Sequence, residues 1–189
     1  MRSTTLIAIL LASVPAFAQE EYSKQEVSVQ AVGSFVKSTW DKGVEQTATN
    51  SGGVLANYRY FFNKNNGVEV NYAFTNNTQS YIGLGGVDTR NNEVSAAYVF
   101  RMPLKHFTPF VLAGAGGLVF DPKNFAGAST QTRAAFVYGA GADYNLSSHV
   151  FVRAEYRGLV YNSPTYDVFN GLDRITHRAE PSVGFGYRF

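Results

Sequence analysis

Cysteine is absent from all 189 residues, which excludes disulfides, thiolate metal sites and thiol catalysis. A dominant charge is also missing, with 16 basic residues against 14 acidic ones. That balance offers no broad basic surface for nucleic acid or anionic lipid. Leucine is sparse, and no window repeats its apolar residues every 3.6 positions, so nothing here is patterned as an amphipathic helix. Nor is there a long apolar run: Leu6–Leu11 falls far short of the ~20 residues of a spanning helix.

What is present starts with that short run. MRSTTLIAILLASVPAFA has one basic residue near its start (Arg2), then the apolar stretch, then the small-x-small ending Ala16-Phe17-Ala18. This is the build of a secretory signal peptide. Cleavage is expected before Gln19, giving a signal over 1–18 and a single domain over 19–189. Loss of Arg2 leaves 15 basic against 14 acidic residues. A small exported domain without disulfides must be stabilised by other means.

The remaining composition points to sheet. Twelve Tyr, fifteen Phe and eighteen Gly favour strands over helices. Apolar residues recur at period two in eight stretches. These begin with Val27 to Phe35, Val54 to Phe62, Val68 to Phe74 and Val94 to Phe100. They continue as Phe110-Leu112-Gly114-Gly116-Leu118-Phe120, Ala134 to Leu146, Val150 to Val160 and Ala179 to Phe189. Tight connections at 63–67, 101–108 and 145–149 alternate with long ones at 37–52, 75–90, 121–132 and 161–177. Short and long connections at opposite ends describe an up-and-down meander of eight strands, and closing it removes the open edges.

Periodicity alone fits two closed barrels, a soluble lipocalin-like one with apolar residues inside and a membrane one with them outside. Composition separates them. The apolar stripes hold no charged residue and are crowded with rings, whereas eight strands enclose a space only just wide enough for side chains. The opposite stripes carry Arg59, Glu69, Glu93, Arg133, Asp143, Arg153, Glu155, Arg157, Arg178, Glu180 and Arg188. Near-balanced charge suits an enclosed polar lumen, because unpaired buried charge is costly. Tyr60, Phe62, Tyr98, Phe100, Phe110, Tyr144, Tyr187 and Phe189 cluster at the tight-turn end as an aromatic girdle. The expected fold is all-β: an eight-stranded antiparallel up-and-down transmembrane β-barrel with a closed polar lumen.

FVLAGAGGLVF, FVYGAGADYNL and the closing SVGFGYRF resemble the small outer-membrane barrels related to outer-membrane protein A and its X-type relatives. The resemblance implies an outer-membrane location in a Gram-negative-type cell, with outer-membrane lipids as surroundings. It also implies that the last strand is read by the barrel-assembly machinery, through Val183, Phe185, Tyr187 and Phe189. The chain ends there, so the periplasmic peptidoglycan-binding domain of larger relatives is not expected.

Several features invite a sharper chemistry. Gly114-Ala115-Gly116-Gly117 and Gly139-Ala140-Gly141 look like phosphate loops, but a phosphate loop opens a helix and these lie inside strands. They read as points of close backbone approach. His106 and His149 fall in tight turns and His177 after a long loop, so no metal site is expected. The sequence Arg153-x-Glu155-x-Arg157 with Arg178-x-Glu180 fits an ion gate or a salt-bridge filling; the narrow lumen favours the filling. A lipid A deacylase-type enzyme would need a Ser–His–carboxylate group. His177 alternates to the face opposite Glu180 and Ser182, so no catalytic residue and no cofactor are expected.

The functional expectation is therefore a non-enzymatic structural or surface-interaction protein. Its four long loops, with Trp40, Tyr81, Phe125, Tyr166 and Phe169, are candidates for meeting an extracellular partner. A lipid-modifying enzyme and a lipocalin-like carrier stand as the rivals. The mature protein should sediment with the outer membrane and run faster on a detergent gel unboiled than boiled. Recovery as a freely soluble periplasmic protein would contradict the membrane barrel.

Overall fold

A computed structural model describes residues 23–37, 39–41, 44–48, 50–81, 85–122, 130–162 and 175–189. The expected signal peptide lies outside the described residues. Ten strands follow in chain order: β1 Gln25–Val36, β2 Thr39–Asp41, β3 Val44–Ala48, β4 Ser51–Phe61, β5 Asn66–Tyr81, β6 Gly85–Arg101, β7 Phe107–Pro122, β8 Gln131–Asn145, β9 Val150–Asn162 and β10 Ile175–Arg188. Eight of them, β1 and β4 to β10, form the closed antiparallel barrel. β1 pairs with β4 on one side and with β10 on the other, so no barrel strand is left with a free edge. Backbone groups facing hydrocarbon are thereby satisfied between strands.

The alternation seen in the sequence sets the faces. Val29, Val70, Val94, Phe136 and Phe185 are exposed on the outside, while Glu26, Glu69, Arg153, Arg157 and Glu180 are wholly buried within. A water-soluble barrel would have this pattern reversed. At the tight-turn end Tyr60 meets Phe62 and Tyr187 meets Phe189 edge to face, at 5.7 and 5.2 Å between centroids. Phe189 N also donates to Gln25 O at 3.0 Å, tying the last residue to the start of β1.

One stripe is turned around. Phe110, Leu112, Leu118 and Phe120 of β7 are 0–4% exposed and point into the barrel, while Val111, Ala113 and Ala115 face outward. Phe110 therefore leaves the aromatic girdle. In FVLAGAGGLVF neither phase holds a charge, so alternation had nothing to orient the strand. Packing decides instead, because the wall of β6 to β9 is lined within by Val99, Leu112, Leu118, Val137 and Leu159. That wall is of mixed polarity, since Glu93, Asp143, Arg153, Glu155 and Arg157 also stand buried on β6, β8 and β9.

Strands also run farther than the apolar stripes. The β5–β6 ladder continues from Thr75↔Asn91 to Tyr81↔Gly85, roughly 20 Å of strand at ~3.4 Å per residue. The expected loop at 75–90 is thus mostly hairpin. In the 37–52 connection, β2 pairs with β3, and β3 with β5 through Gln46↔Tyr81 and Ala48↔Gln79. The period-two count stops at Phe74 because TNNTQS has no apolar residue, yet ladder bonds need none once the strand has left the lipid. Trp40 and Tyr81 fall on this strand backbone; Phe125, Tyr166 and Phe169 lie outside the described residues.

The glycines of β7 explain how closely it lies on β6. A Cβ on Gly114 would stand 2.0 Å from Ala96 O and 2.5 Å from Ala97 Cα, so no side chain fits there. The absence of native cysteine allows a direct test of β7's orientation. In the folded barrel, Val111→Cys should react with a lipid-soluble maleimide while Leu112→Cys should not. The reverse labelling would restore the sequence-based phase.

Candidate functional site

The lumen is built from directly opposed charges. The register sets Glu26 against Arg188 and Arg59, Arg59 against Glu69, Asp143 against Arg153, and Glu180 against Arg157. Opposite charges facing each other across strands are the favourable arrangement. Near the turn end, Glu26 receives Arg101, Arg188 at 2.8 Å and Arg153 at 2.9 Å. Arg153 and Arg188 both also reach Asp143, at 2.7 and 3.1 Å. Farther up, Arg59 bonds to Glu69 and, at 3.0 Å, to Glu155.

Arg157 is the hub of the upper layer. It donates to both oxygens of Glu93 at 3.0 and 3.1 Å and to Glu180 at 2.5 Å, and its Nε lies 3.8 Å from Glu155. Arg178 pairs with Glu180 and stretches across the barrel to Thr75 Oγ1 at 3.2 Å. Neutral polar groups join the layers: Arg153 Nη1 donates to Asn57 Oδ1 at 3.1 Å, and Ser28 Oγ donates to the same atom at 2.7 Å.

Among the described residues the buried charges are six arginines (59, 101, 153, 157, 178, 188) and six carboxylates (26, 69, 93, 143, 155, 180), none more than 8% exposed. The guanidiniums also stack on inward rings. Arg59 and Arg153 sit 4.0 and 5.1 Å from the Phe110 centroid, and Arg101 lies 3.4 Å from that of Phe61. Phe151 takes Arg153 and Arg188. Each such contact contributes about 0.5–2 kcal/mol, toward the upper end when dry.

Ten of the eleven charges expected in the lumen phase are buried and in contact with an opposite charge. The exception, Arg133, is half-buried and donates to Gln131 Oε1 at 3.2 Å. Sequence reasoning missed Glu26 and Arg101. Each is one step beyond the end of an apolar stripe and in the lumen phase, so extending the alternation by one residue would have found both. Val183, Phe185, Tyr187 and Phe189, read as an assembly signal, lie exposed along the outer face of the last strand.

Candidates for catalysis do not converge. His177 faces outward and its Nε2 meets Tyr138 OH at 2.8 Å. Glu180 lies in the lumen, and Ser182 Oγ donates to Gln30 Oε1 at 3.0 Å. His149 contacts Ser148 Oγ at 2.9 Å, in an exposed turn where its ring stacks on Tyr187. Among the described residues no group of three His, Cys, Asp or Glu could hold a metal.

The comparisons agree with this geometry. The sequence profile of the outer membrane protein beta-barrel domain family matches residues 4–189. Among curated proteins there is no match. Neisserial surface protein A has a similar structure, with a TM-score of 0.67 at 14% identity over 87% of this chain and 97% of that one. The outer membrane protein OprG of Pseudomonas aeruginosa gives 0.64 at 18%, over 89% and 96%. Ail, the attachment invasion locus protein of Yersinia pestis, in complex with the heparin analogue sucrose octasulfate, gives 0.57 at 25%, over 89% and 99%.

The hub arginine yields a stability prediction. Arg157→Leu strands Glu93 and leaves Glu180 with Arg178 alone, and breaking a buried pair costs about 3–5 kcal/mol. Urea unfolding in lipid vesicles should show that loss, and adding Glu93→Gln should recover part of it. An unchanged midpoint for Arg157→Leu would mean the ion pairs do not hold the barrel.

Proposed function

This chain belongs to the outer membrane protein beta-barrel domain family, and on that premise we propose that it is a non-enzymatic surface-interaction protein whose loop end meets the partner. The carrying observation is the filled lumen. Twelve charged side chains at no more than 8% exposure, with inward rings between them, leave the interior to structure rather than to transport. Function then falls to the surfaces outside the membrane.

At the loop end, the β5–β6 hairpin and the short β2 and β3 extend the sheet past the last lipid-facing residues. A rigid scaffold of this kind suits a binding surface. Ail, at 25% identity, is a barrel of similar span solved with a heparin analogue, which supports an extracellular-ligand role. The loops of this chain have their own chemistry. Their charge is sparse and mixed, and Trp40, Tyr81, Phe125, Tyr166 and Phe169 lie among Gly, Asn, Ser and Thr. A partner contacting aromatic and amide groups fits them better than a polyanion does. The outer stripe Val183, Phe185, Tyr187 and Phe189 serves earlier in the protein's life, as the strand read by the assembly machinery.

A binding screen tests the reading. Cells displaying the barrel are exposed to immobilised matrix proteins and glycans, with segments 37–52, 75–90, 121–132 and 161–177 shortened one at a time. Retention should be lost with at least one segment while the barrel keeps its heat-shifted mobility. Steady porin-sized conductance in planar bilayers, or fatty-acid release from labelled lipid A, would overturn the proposal.

A further inference from the structure

The outer face of the seam between β1 and β10 carries an arrangement that neither the lumen nor the loops explain. Lys37, just past β1, donates its backbone N–H to His177 O at 3.0 Å, so the two residues stand opposite each other across the β1–β10 seam. Lys37 is exposed and His177 half-buried on the outward stripe of β10. The His177 ring is held in place by Tyr138 of β8. That side chain crosses β9 over Gly158, where a Cβ would come 2.4 Å from Tyr138 Cζ, and its hydroxyl lies 2.8 Å from His177 Nε2. An exposed ammonium and an imidazole held by Tyr138 therefore mark the loop end of the seam.

A groove lies next to them, toward the turn end. The β1–β10 ladder passes from Val32↔Ser182 directly to Phe35↔Ala179, and Pro181, which has no N–H to donate, sits in the gap beside Gly33. The resulting groove of about 420 Å³ is lined by Ala31, Val32, Gly33, Pro181, Ser182 and Val183. It is an open trough rather than an enclosed cavity, and Val29, Phe35, Val183 and Phe185 around it are exposed. Its opening lies on the hydrocarbon-facing surface, so whatever fills it comes from the bilayer. A lysine and a histidine at one end, with an apolar trough below, match an amphiphile with an anionic head.

We propose that the seam binds one phosphate-bearing lipid of the loop-side leaflet, its phosphate between Lys37 and His177 and an acyl chain in the Gly33–Pro181 groove. This rests on the outer-membrane placement but not on any role of the loops. The lipid covers the stretch of seam where the ladder is interrupted.

Native mass spectrometry of the detergent-solubilised barrel, titrated with phosphatidylglycerol, tests it. Wild type should retain one lipid per barrel. The double variant Lys37→Gln/His177→Gln and the groove-filling Ala31→Trp should each weaken retention at least tenfold, while Lys105→Gln at the turn end should not. Diacylglycerol and inorganic phosphate should each bind at least tenfold more weakly than phosphatidylglycerol. Heat-shifted mobility confirms that each variant is folded. Equal retention by all variants would identify general annular lipid, inorganic phosphate competing fully with Ala31→Trp neutral would leave only an anion site, and a protein dimer formed through the groove would replace the lipid. Each of these three results overturns the proposal.

Discussion

Taking a guanidinium or a carboxylate out of water costs several kcal/mol unless it is met by an opposite charge and hydrogen bonds. Twelve such groups inside one eight-stranded cylinder make that pairing the condition on which the rest depends. Glu69 faces Arg59, Asp143 faces Arg153 and Glu180 faces Arg157 only in one register. A slip of a single residue would turn every charge of a strand toward hydrocarbon. The ion pairs thus act together with the lipid-facing stripes, since both specify the same register. Buried ion pairs are weak sources of net stability, and fixing register is their better-attested use.

The inward rings follow from the same condition. Size alone assigns Phe110 and Phe120 to the lipid, because a small barrel has little room. Inside this one, the flat guanidiniums of Arg59, Arg153 and Arg188 lie against Phe110 and Phe151, and Leu112, Leu118 and Leu159 of the same two strands fill the space beside them. Arginine can fill a narrow space with aromatics in a way that lysine cannot, being planar and less strongly hydrated. The lumen is accordingly a packed core of mixed polarity. On the proposed reading, interaction with other molecules falls to the two outer surfaces, one in lipid and one beyond it.

The terminal strand joins those themes. Its even residues Glu180 and Arg188 enter the ion pairs, while its odd residues Val183, Phe185, Tyr187 and Phe189 face out. Pro181 interrupts the seam there. The strand that closes the sheet is therefore also the one with a gap in its ladder, next to the only lipid-face histidine held by a tyrosine among the described residues.

Much of this was readable before any coordinates. Strand number, order, closure and the outward faces of seven barrel strands follow from alternation, because a charge in one phase and none in the other leaves a single choice of side. Arg157 and Glu180 could be assigned to the lumen on that basis, and Glu26 and Arg101 were missed only by stopping one residue early. β7 could not be oriented, since neither phase of FVLAGAGGLVF holds a charge and its inward face is chosen by packing against guanidiniums contributed from other strands. The same holds for the partners of each charge and for the Lys37–His177–Tyr138 grouping. Alternation is a local property of each strand and is written along the chain. Which strand lies opposite, and in what register, is settled only when the sheet closes and residues more than a hundred positions apart come into contact.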